Sequence, residues 1–208
     1  MQFPLLADVS ALSQALPLVT AAVRRPAGGA KRWLVAWCAL NLLETGIMLA
    51  LALHDVHNLW VPYAFAPVLG ATALWAFSCW QESDLARLTM RLAIAPFLAL
   101  AIASPFLENT ASFSRVVGPV TALVGLYAAA STLIAKSRVS TGDLLRQDWL
   151  WVSAGFALFF GMHSMLGPLS ALLMGNMPLF NLAYGFSAVL EIVAFLTIAW
   201  GMVCPTAT

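Results

Sequence analysis

Charged residues are scarce in this chain of 208 residues. They make up 9% of it, apolar residues make up 62%, and the mean hydropathy is +0.88. A soluble domain carries about 25% charged residues, so this chain has too little charge to cover its own surface in water. We therefore exclude a soluble protein and predict that lipid surrounds most of the molecule. The apolar segments follow one another through short connections, which indicates a single domain over residues 1–208.

Cysteine is also rare. The chain has three cysteines, Cys38, Cys79 and Cys204, with no CxxC pair and no Cys/His metal spacing. An odd number at irregular spacing argues against a structural disulfide. The N-terminus lacks the basic region of a secretory signal, and Asp8 interrupts its apolar run, so we expect no cleaved signal peptide.

Several function classes lack their residues. The last apolar segment contains no lysine, which excludes a retinal Schiff base of the microbial rhodopsin type. No GxSxG, HExxH or Walker sequence occurs. The basic residues flank apolar segments, so nothing indicates nucleic-acid binding, and we expect neither a metal nor a cofactor.

Long apolar runs dominate the rest of the sequence. A membrane-spanning helix needs about 20 mostly apolar residues. The predicted spans are Leu5–Val23, Trp33–Leu53, Leu59–Trp80, Leu92–Leu107 (or from near Leu88), Val116–Ala135, Trp149–Met174 and Leu179–Val203. The fold class is therefore all-α, a polytopic membrane protein with a bundle of seven transmembrane helices. The alternative is six spans plus an interfacial N-terminal helix, because the first segment contains several polar residues.

Basic residues in the connections predict the orientation. Nine of the ten lie in alternate connections, the exception being Arg115. The nine are Arg24, Arg25, Lys31, Arg32, Arg87, Arg91, Lys136, Arg138 and Arg146. By the positive-inside rule these connections are cytoplasmic. The sequence thus predicts a multi-pass protein of the bacterial inner membrane, with its N-terminus outside and its C-terminus in the cytoplasm.

Three ionisable residues lie near the middle of predicted spans: Glu44, His163 and Glu191. An ionised side chain at the centre of a membrane helix costs about 2.5–3.5 kcal/mol on insertion scales, so such groups usually face the bundle interior and are often functional. Hydrocarbon disfavours an ionised carboxyl, so we expect at least one glutamate to be neutral unless His163 pairs with it. No lysine or arginine lies at this depth.

Neighbouring polar residues share helix faces with these groups. Helical spacing places Trp37, Asn41 and Glu44 on one stripe, and Tyr184, Ser187 and Glu191 on another. The fifth span adds Tyr127 as a further interior candidate, and the stretch "HDVHNLWVPY" is predicted to cap the outer mouth of the bundle. The predicted ligand-binding residues are Trp37, Asn41, Glu44, Asn58, Tyr63, His163, Tyr184, Ser187 and Glu191.

Two resemblances bear on function. The combination of "NLLETG", "HDVHNLWVPY" and "RQDWLWVSAGFALFF" resembles uncharacterised bacterial seven-helix membrane proteins that also occur as membrane parts of sensor kinases. The matching positions are Glu44, Asn58, Trp60, Trp149 and Trp151, although Leu150 separates the two tryptophans. The chain is also similar to membrane-bound terpene cyclases, which are small seven-helix proteins with acidic residues inside the bundle. That resemblance implies Glu44 and Glu191 as catalytic acids.

Three hypotheses follow. The first is a receptor-like or sensory membrane protein that binds an apolar or amphiphilic small molecule in a mid-membrane pocket and signals through a cytoplasmic or membrane protein partner. The second is a membrane-embedded terpene cyclase or lipid-modifying enzyme in which a buried glutamate is the general acid. The third is a structural subunit of a membrane complex, in which the polar residues only fix helix packing.

Overall fold

This computed structural model describes residues 4–25, 28–108, 110, 114, 116–140, 143–173 and 175–205, and among them the regular secondary structure is helical, with no strand. The helices are α1 (Pro4–Ser13), α2 (Leu16–Arg24), α3 (Gly29–Leu53), α4 (Val61–Ser78), α5 (Asp84–Leu92), α6 (Ile94–Leu107), α7 (Val117–Val139), α8 (Asp148–Leu173) and α9 (Met177–Val203). A short 3₁₀ turn, Leu144–Arg146, precedes α8.

These helices form the predicted seven-helix membrane bundle. The spans with sufficient length and hydropathy are Leu5–Arg24, Gly29–Leu53, Val61–Ser78, Asp84–Leu107, Val117–Val139, Asp148–Leu166 and Met177–Val203. The first span comprises α1 and α2, and both pack along α9. The N-terminal segment is therefore part of the bundle, which rules out the alternative of a separate interfacial helix.

Polar residues hold this N-terminal span in place. Ser10, Ser13 and Gln14 are buried against the bundle together with Pro17, while the exposed face of the same span carries apolar side chains such as Leu12 (72% exposed) and, near its beginning, Asp8. Lipid covers that outer face, so the stable arrangement places apolar side chains on the outside and most polar side chains inside the bundle. A hydropathy score, in contrast, treats the same polar residues as evidence against a membrane-spanning helix.

The fourth span begins earlier than predicted, at Asp84 rather than at Leu92 or near Leu88. Its first helix, α5, is amphipathic, and its basic residues lower the local hydropathy. Their charges are accommodated: Arg87 donates to the Gln81 carbonyl at 2.9 Å, and the Arg91 guanidinium lies 4.6 Å from the centre of the Trp75 ring. A cation over a tryptophan face is favourable at the membrane boundary.

Small residues bring α8 and α9 into close contact. A Cβ atom at Gly155 would lie 2.7 Å from the Ala194 carbonyl oxygen, and one at Gly201 would lie 2.9 Å from the Val152 backbone nitrogen. Membrane helices associate mainly through such packing, because lipid is as apolar as their side chains. Gly46 of α3 differs, since nothing lies within 4 Å of its Cβ position.

An aromatic cluster fills the centre of the bundle. The Trp37 ring of α3 lies 4.5 Å from Phe156, 5.4 Å from Phe159 and 6.5 Å from Phe195, measured between ring centres. Its indole nitrogen is buried and has no hydrogen-bond acceptor among the described residues. The contacts between these rings hold α3, α8 and α9 together.

Ion pairs join the helix ends that carry the basic residues, which we call the basic end. Lys31 was expected in a connection but lies in the first turn of α3 and is 3% exposed. Its ammonium group donates to the Cys204 carbonyl at 2.6 Å and lies 3.4 Å from the buried Asp148 carboxylate. Lys136 pairs with Glu82 at 2.6 Å on the surface. Arg115, the predicted exception on the opposite side, lies outside the described residues.

Candidate ligand site

A chain of hydrogen bonds crosses the bundle at the middle of three spans. Gln14, Asn41 and Glu191 each lie near the centre of their helix or span. Ser10 Oγ donates to Glu191 Oε2 at 2.6 Å, and Gln14 Nε2 donates to Glu191 Oε1 at 2.7 Å. Asn41 Nδ2 donates to Gln14 Oε1 at 3.0 Å. Both carboxyl oxygens of Glu191 are thus satisfied by the N-terminal span.

Glu44 has a different environment. It lies almost one turn beyond Asn41 on the same face of α3, partly exposed to a cavity. No residue in the described part of the chain forms a hydrogen bond or an ion pair with its carboxyl group. The two mid-membrane glutamates therefore have distinct roles: Glu191 is built into helix packing, whereas Glu44 is available.

His163, which the sequence left open as a possible cationic partner, does not pair with either glutamate. Its Nδ1 lies 2.9 Å from the Phe159 carbonyl oxygen, one turn earlier in α8. A carbonyl can only accept, so Nδ1 carries the hydrogen, and in the neutral ring Nε2 is left as an acceptor. The imidazole also lies against the Phe159 ring, with 4.2 Å between ring centres.

Two adjoining cavities flank this polar layer. The central cavity, of about 390 Å³, lies between α3, α4, α7, α8 and α9 and reaches the Trp37 cluster. The N-terminal cavity, of about 530 Å³, lies between α1, α8 and α9. Both are partly open at the molecular surface. They share the lining residues Gln14, Thr45, His163, Leu166, Tyr184 and Glu191.

The cavities collect most of the predicted ligand-binding residues. Trp37, Asn41 and Glu44 line the central cavity, and Ser187 lines the N-terminal cavity. Both cavities are lined by three further residues of the predicted set, namely His163, Tyr184 and Glu191. The helical stripes predicted from residue spacing thus converge on one region of the bundle.

Asn58 and Tyr63 lie apart from this region. Asn58 Nδ2 donates to the Met48 carbonyl at 2.9 Å and so closes the connection after α3. Tyr63 is buried, and its hydroxyl donates to Glu108 Oε2 at 2.9 Å. Neither lines the central or the N-terminal cavity. Tyr127 was wrongly expected to face the interior: it is 65% exposed on the outer face of α7, where its ring meets lipid.

Sequence reasoning missed Ser10 and Gln14, the partners of Glu191. A usable signal existed, because the two residues are four apart and therefore share one face of a helix. Polar groups on one face of an apolar helix indicate a partner inside the bundle. The sequence does not show which helix supplies it.

The site is an apolar, partly aromatic pocket with a few fixed polar groups, and its chemistry is that of hydrogen bonding and proton exchange. In the described ranges, no three His, Cys, Asp or Glu residues are grouped closely enough to hold a metal ion. No protein-family model, curated protein or solved structure matches the chain, so the geometry carries the functional argument.

Proposed function

We propose that the protein binds an apolar or amphiphilic small molecule in the two adjoining cavities and acts as a receptor-like or sensory membrane protein. The observation that carries this proposal is the polar layer at mid-membrane between two cavities of about 390 and 530 Å³. Small-molecule sites are typically about 300–1,000 Å³, mostly apolar, with a small number of placed polar groups.

Packing alone accounts for only part of this layer. The Glu191 carboxyl is fully engaged by Ser10 and Gln14, which is what a packing role requires. Glu44 makes no such contact with any described residue, yet a polar group at this depth is costly. A bound molecule would give its carboxyl the partner that the protein does not supply.

The proposed setting is the bacterial inner membrane, with the basic end in the cytoplasm. Nine of the ten basic residues belong to connections or helix ends on that side, and the positive-inside rule favours their retention in the cytoplasm. A ligand that alters the packing of α3 against α8 and α9 would change the structure of the basic end, because the Lys31–Asp148 ion pair there joins α3 to α8. A partner protein bound at the basic end would then respond to this structural change. Reporter fusions at the two termini test the orientation.

Native mass spectrometry of the gently purified protein tests ligand binding. Ala66 faces the central cavity, whereas Ala64 is exposed on the opposite side of α4. Wild type and Ala64→Phe should carry the same non-covalent mass, and Ala66→Phe should lose it because its ring fills the cavity. An unliganded protein in all three samples, with equal thermal stability, would favour a structural subunit of a larger complex.

A second candidate is an enzyme that protonates an alkene or epoxide, as the resemblance to terpene cyclases implies. The observation in its favour is the free Glu44 carboxyl in a cavity that is also lined by Trp37, Phe159 and Phe160. A neutral carboxyl is a suitable general acid, and aromatic faces stabilise a carbocation. In that case Glu44→Gln abolishes turnover of a prenylated substrate while its binding remains. A sensory protein would show no turnover at all.

A further inference from the structure

The central cavity carries several hydrogen-bond acceptors that have no partner among the described residues, beside donors such as the Trp37 indole N–H. Glu44 offers two carboxyl oxygens, and His163 offers Nε2 because Nδ1 is used by the Phe159 carbonyl. Asn41 donates its amide hydrogen to Gln14, while no described donor contacts its Oδ1 atom. A molecule that complements these acceptors must therefore bring donors.

Charge indicates the same kind of molecule. Neither a lysine nor an arginine lines the central cavity, whereas two carboxyl groups do, those of Glu44 and Glu191. The Glu191 carboxyl accepts hydrogen bonds from Ser10 and Gln14, whereas the Glu44 carboxyl has no partner among the described residues and needs a counter-charge or a proton. An ionised group inside a membrane protein is normally paired.

Aromatic rings form the deep end of the same cavity. Trp37, Phe159 and Phe160 line it and are packed edge-to-face, with 5.4 Å between Trp37 and Phe159 and 5.8 Å between Trp37 and Phe160. Aromatic faces attract cations, and the attraction is larger where water is excluded.

From these observations we propose that the central cavity binds the primary ammonium group of an amphiphilic amine, with Glu44 as its counter-ion. The three N–H donors of the ammonium match Glu44, His163 Nε2 and Asn41 Oδ1. The apolar body of the amine lies along the lining side chains of Ala66 and Val117. This inference rests on the proposed ligand-binding function and specifies the head group that the site selects.

The test compares three probes with one apolar body: 2-phenylethylamine, 2-phenylethanol and phenylacetate. Their Kd values for the purified protein in neutral detergent are measured by isothermal titration calorimetry near neutral pH. The amine should bind about tenfold more tightly than the alcohol, because a hydrogen bond to a charged group contributes more than a neutral one. Phenylacetate should bind most weakly.

Variants of Glu44 connect the preference to its carboxyl. Glu44→Gln should remove the advantage of the amine over the alcohol, whereas Glu44→Asp should retain it at reduced affinity. Glu82→Gln is the matched control, because Glu82 lies outside the cavity in a surface ion pair, and it should behave as wild type. If the Gln variant does not fold, the Asp variant still tests the assignment: its Kd should rise for the amine and stay the same for the alcohol, and an unchanged Kd for the amine would count against Glu44 as the counter-ion.

The outcomes separate the head group from the site itself. Equal Kd values for the amine and the alcohol in the wild type would overturn the ammonium proposal and leave the binding function standing. An amine preference that survives Glu44→Gln would overturn the assignment of the counter-ion. A failure of all three probes to bind would count against both the head group and the proposed function.

Discussion

The N-terminal span should depend on Gln14 for its place in the bundle. Replacing Gln14 by Leu removes two hydrogen bonds, one to Glu191 and one from Asn41. Hydrogen bonds between membrane helices contribute about 0.6 kcal/mol on average and up to about 1.7 kcal/mol. We therefore expect Gln14→Leu to lower the free energy of unfolding by about 1–2 kcal/mol, about a five- to thirtyfold change in the unfolding constant.

The assay is equilibrium unfolding in mixed micelles with increasing sodium dodecyl sulfate, followed by circular dichroism. Both the folded and the unfolded states remain in the micelle. The greater hydropathy of leucine therefore stabilises both states and contributes little to the difference in the free energy of unfolding. Gln147→Leu is the matched control, because no described residue forms a hydrogen bond with that side chain. A double-mutant cycle of Gln14→Leu with Asn41→Leu should give a coupling energy of about 0.6 kcal/mol.

Two results would refute this reasoning. The first is a Gln14→Leu variant as stable as Gln147→Leu, and the second is the absence of any coupling between Gln14 and Asn41. Either result would mean that the first span is held by apolar packing. The polar layer would then have to be explained by ligand binding alone.

Three further predictions concern packing, charge and thiol reactivity. Gly155→Ala should destabilise the bundle, because the added methyl group meets a backbone carbonyl of α9, whereas Gly46→Ala should be neutral or stabilising in the same unfolding assay. Lys31→Ala should cost about 3–5 kcal/mol, because it breaks a buried ion pair, while Lys136→Ala removes an outer pair and should cost about 1 kcal/mol or less. Burial raises the pKa of the Cys204 thiol, so less thiolate is present at neutral pH than in an exposed cysteine. Maleimide labelling of Cys204 should therefore be slow at pH 7. Its rate should continue to increase with pH above the range in which the labelling rate of a free thiol reaches its plateau. Equal effects for the two glycines, equal effects for the two lysines, or labelling at the rate of a free thiol would contradict the respective contact.

The fold was predictable because lipid imposes a simple length and hydropathy requirement on each span. Counting along those spans also placed Glu44, His163 and Glu191 at similar depth, and all three line the central cavity. The fourth span was the least accurate. Its first helix lies at the boundary with water, where Arg87 and Arg91 find polar and aromatic partners, and a hydropathy window treats such a helix as a connection.

The partners of the polar groups were not predictable. Glu191 is satisfied by Ser10 and Gln14, residues about 180 positions away in the chain, and pairing over that distance depends on which helices pack together. The sequence left open whether His163 pairs with a glutamate, and in the structure it forms a hydrogen bond with a carbonyl of its own helix. In hydrocarbon, a nearby backbone acceptor competes effectively with a distant carboxyl, and spacing alone does not show which contact forms.

The most direct measurement of the central claim is photo-labelling of the purified protein with an alkyl diazirine, followed by peptide mapping. Met48 and Leu166 line the cavities, while their neighbours Leu49 and Met165 point outward and are 51% and 73% exposed. A ligand site predicts labelling of Met48 and Leu166 that saturates and is lost with an excess of unlabelled amphiphile, whereas labelling of Leu49 and Met165 rises in proportion to the probe. Labelling confined to the two outward residues, with no saturation anywhere, would contradict the account.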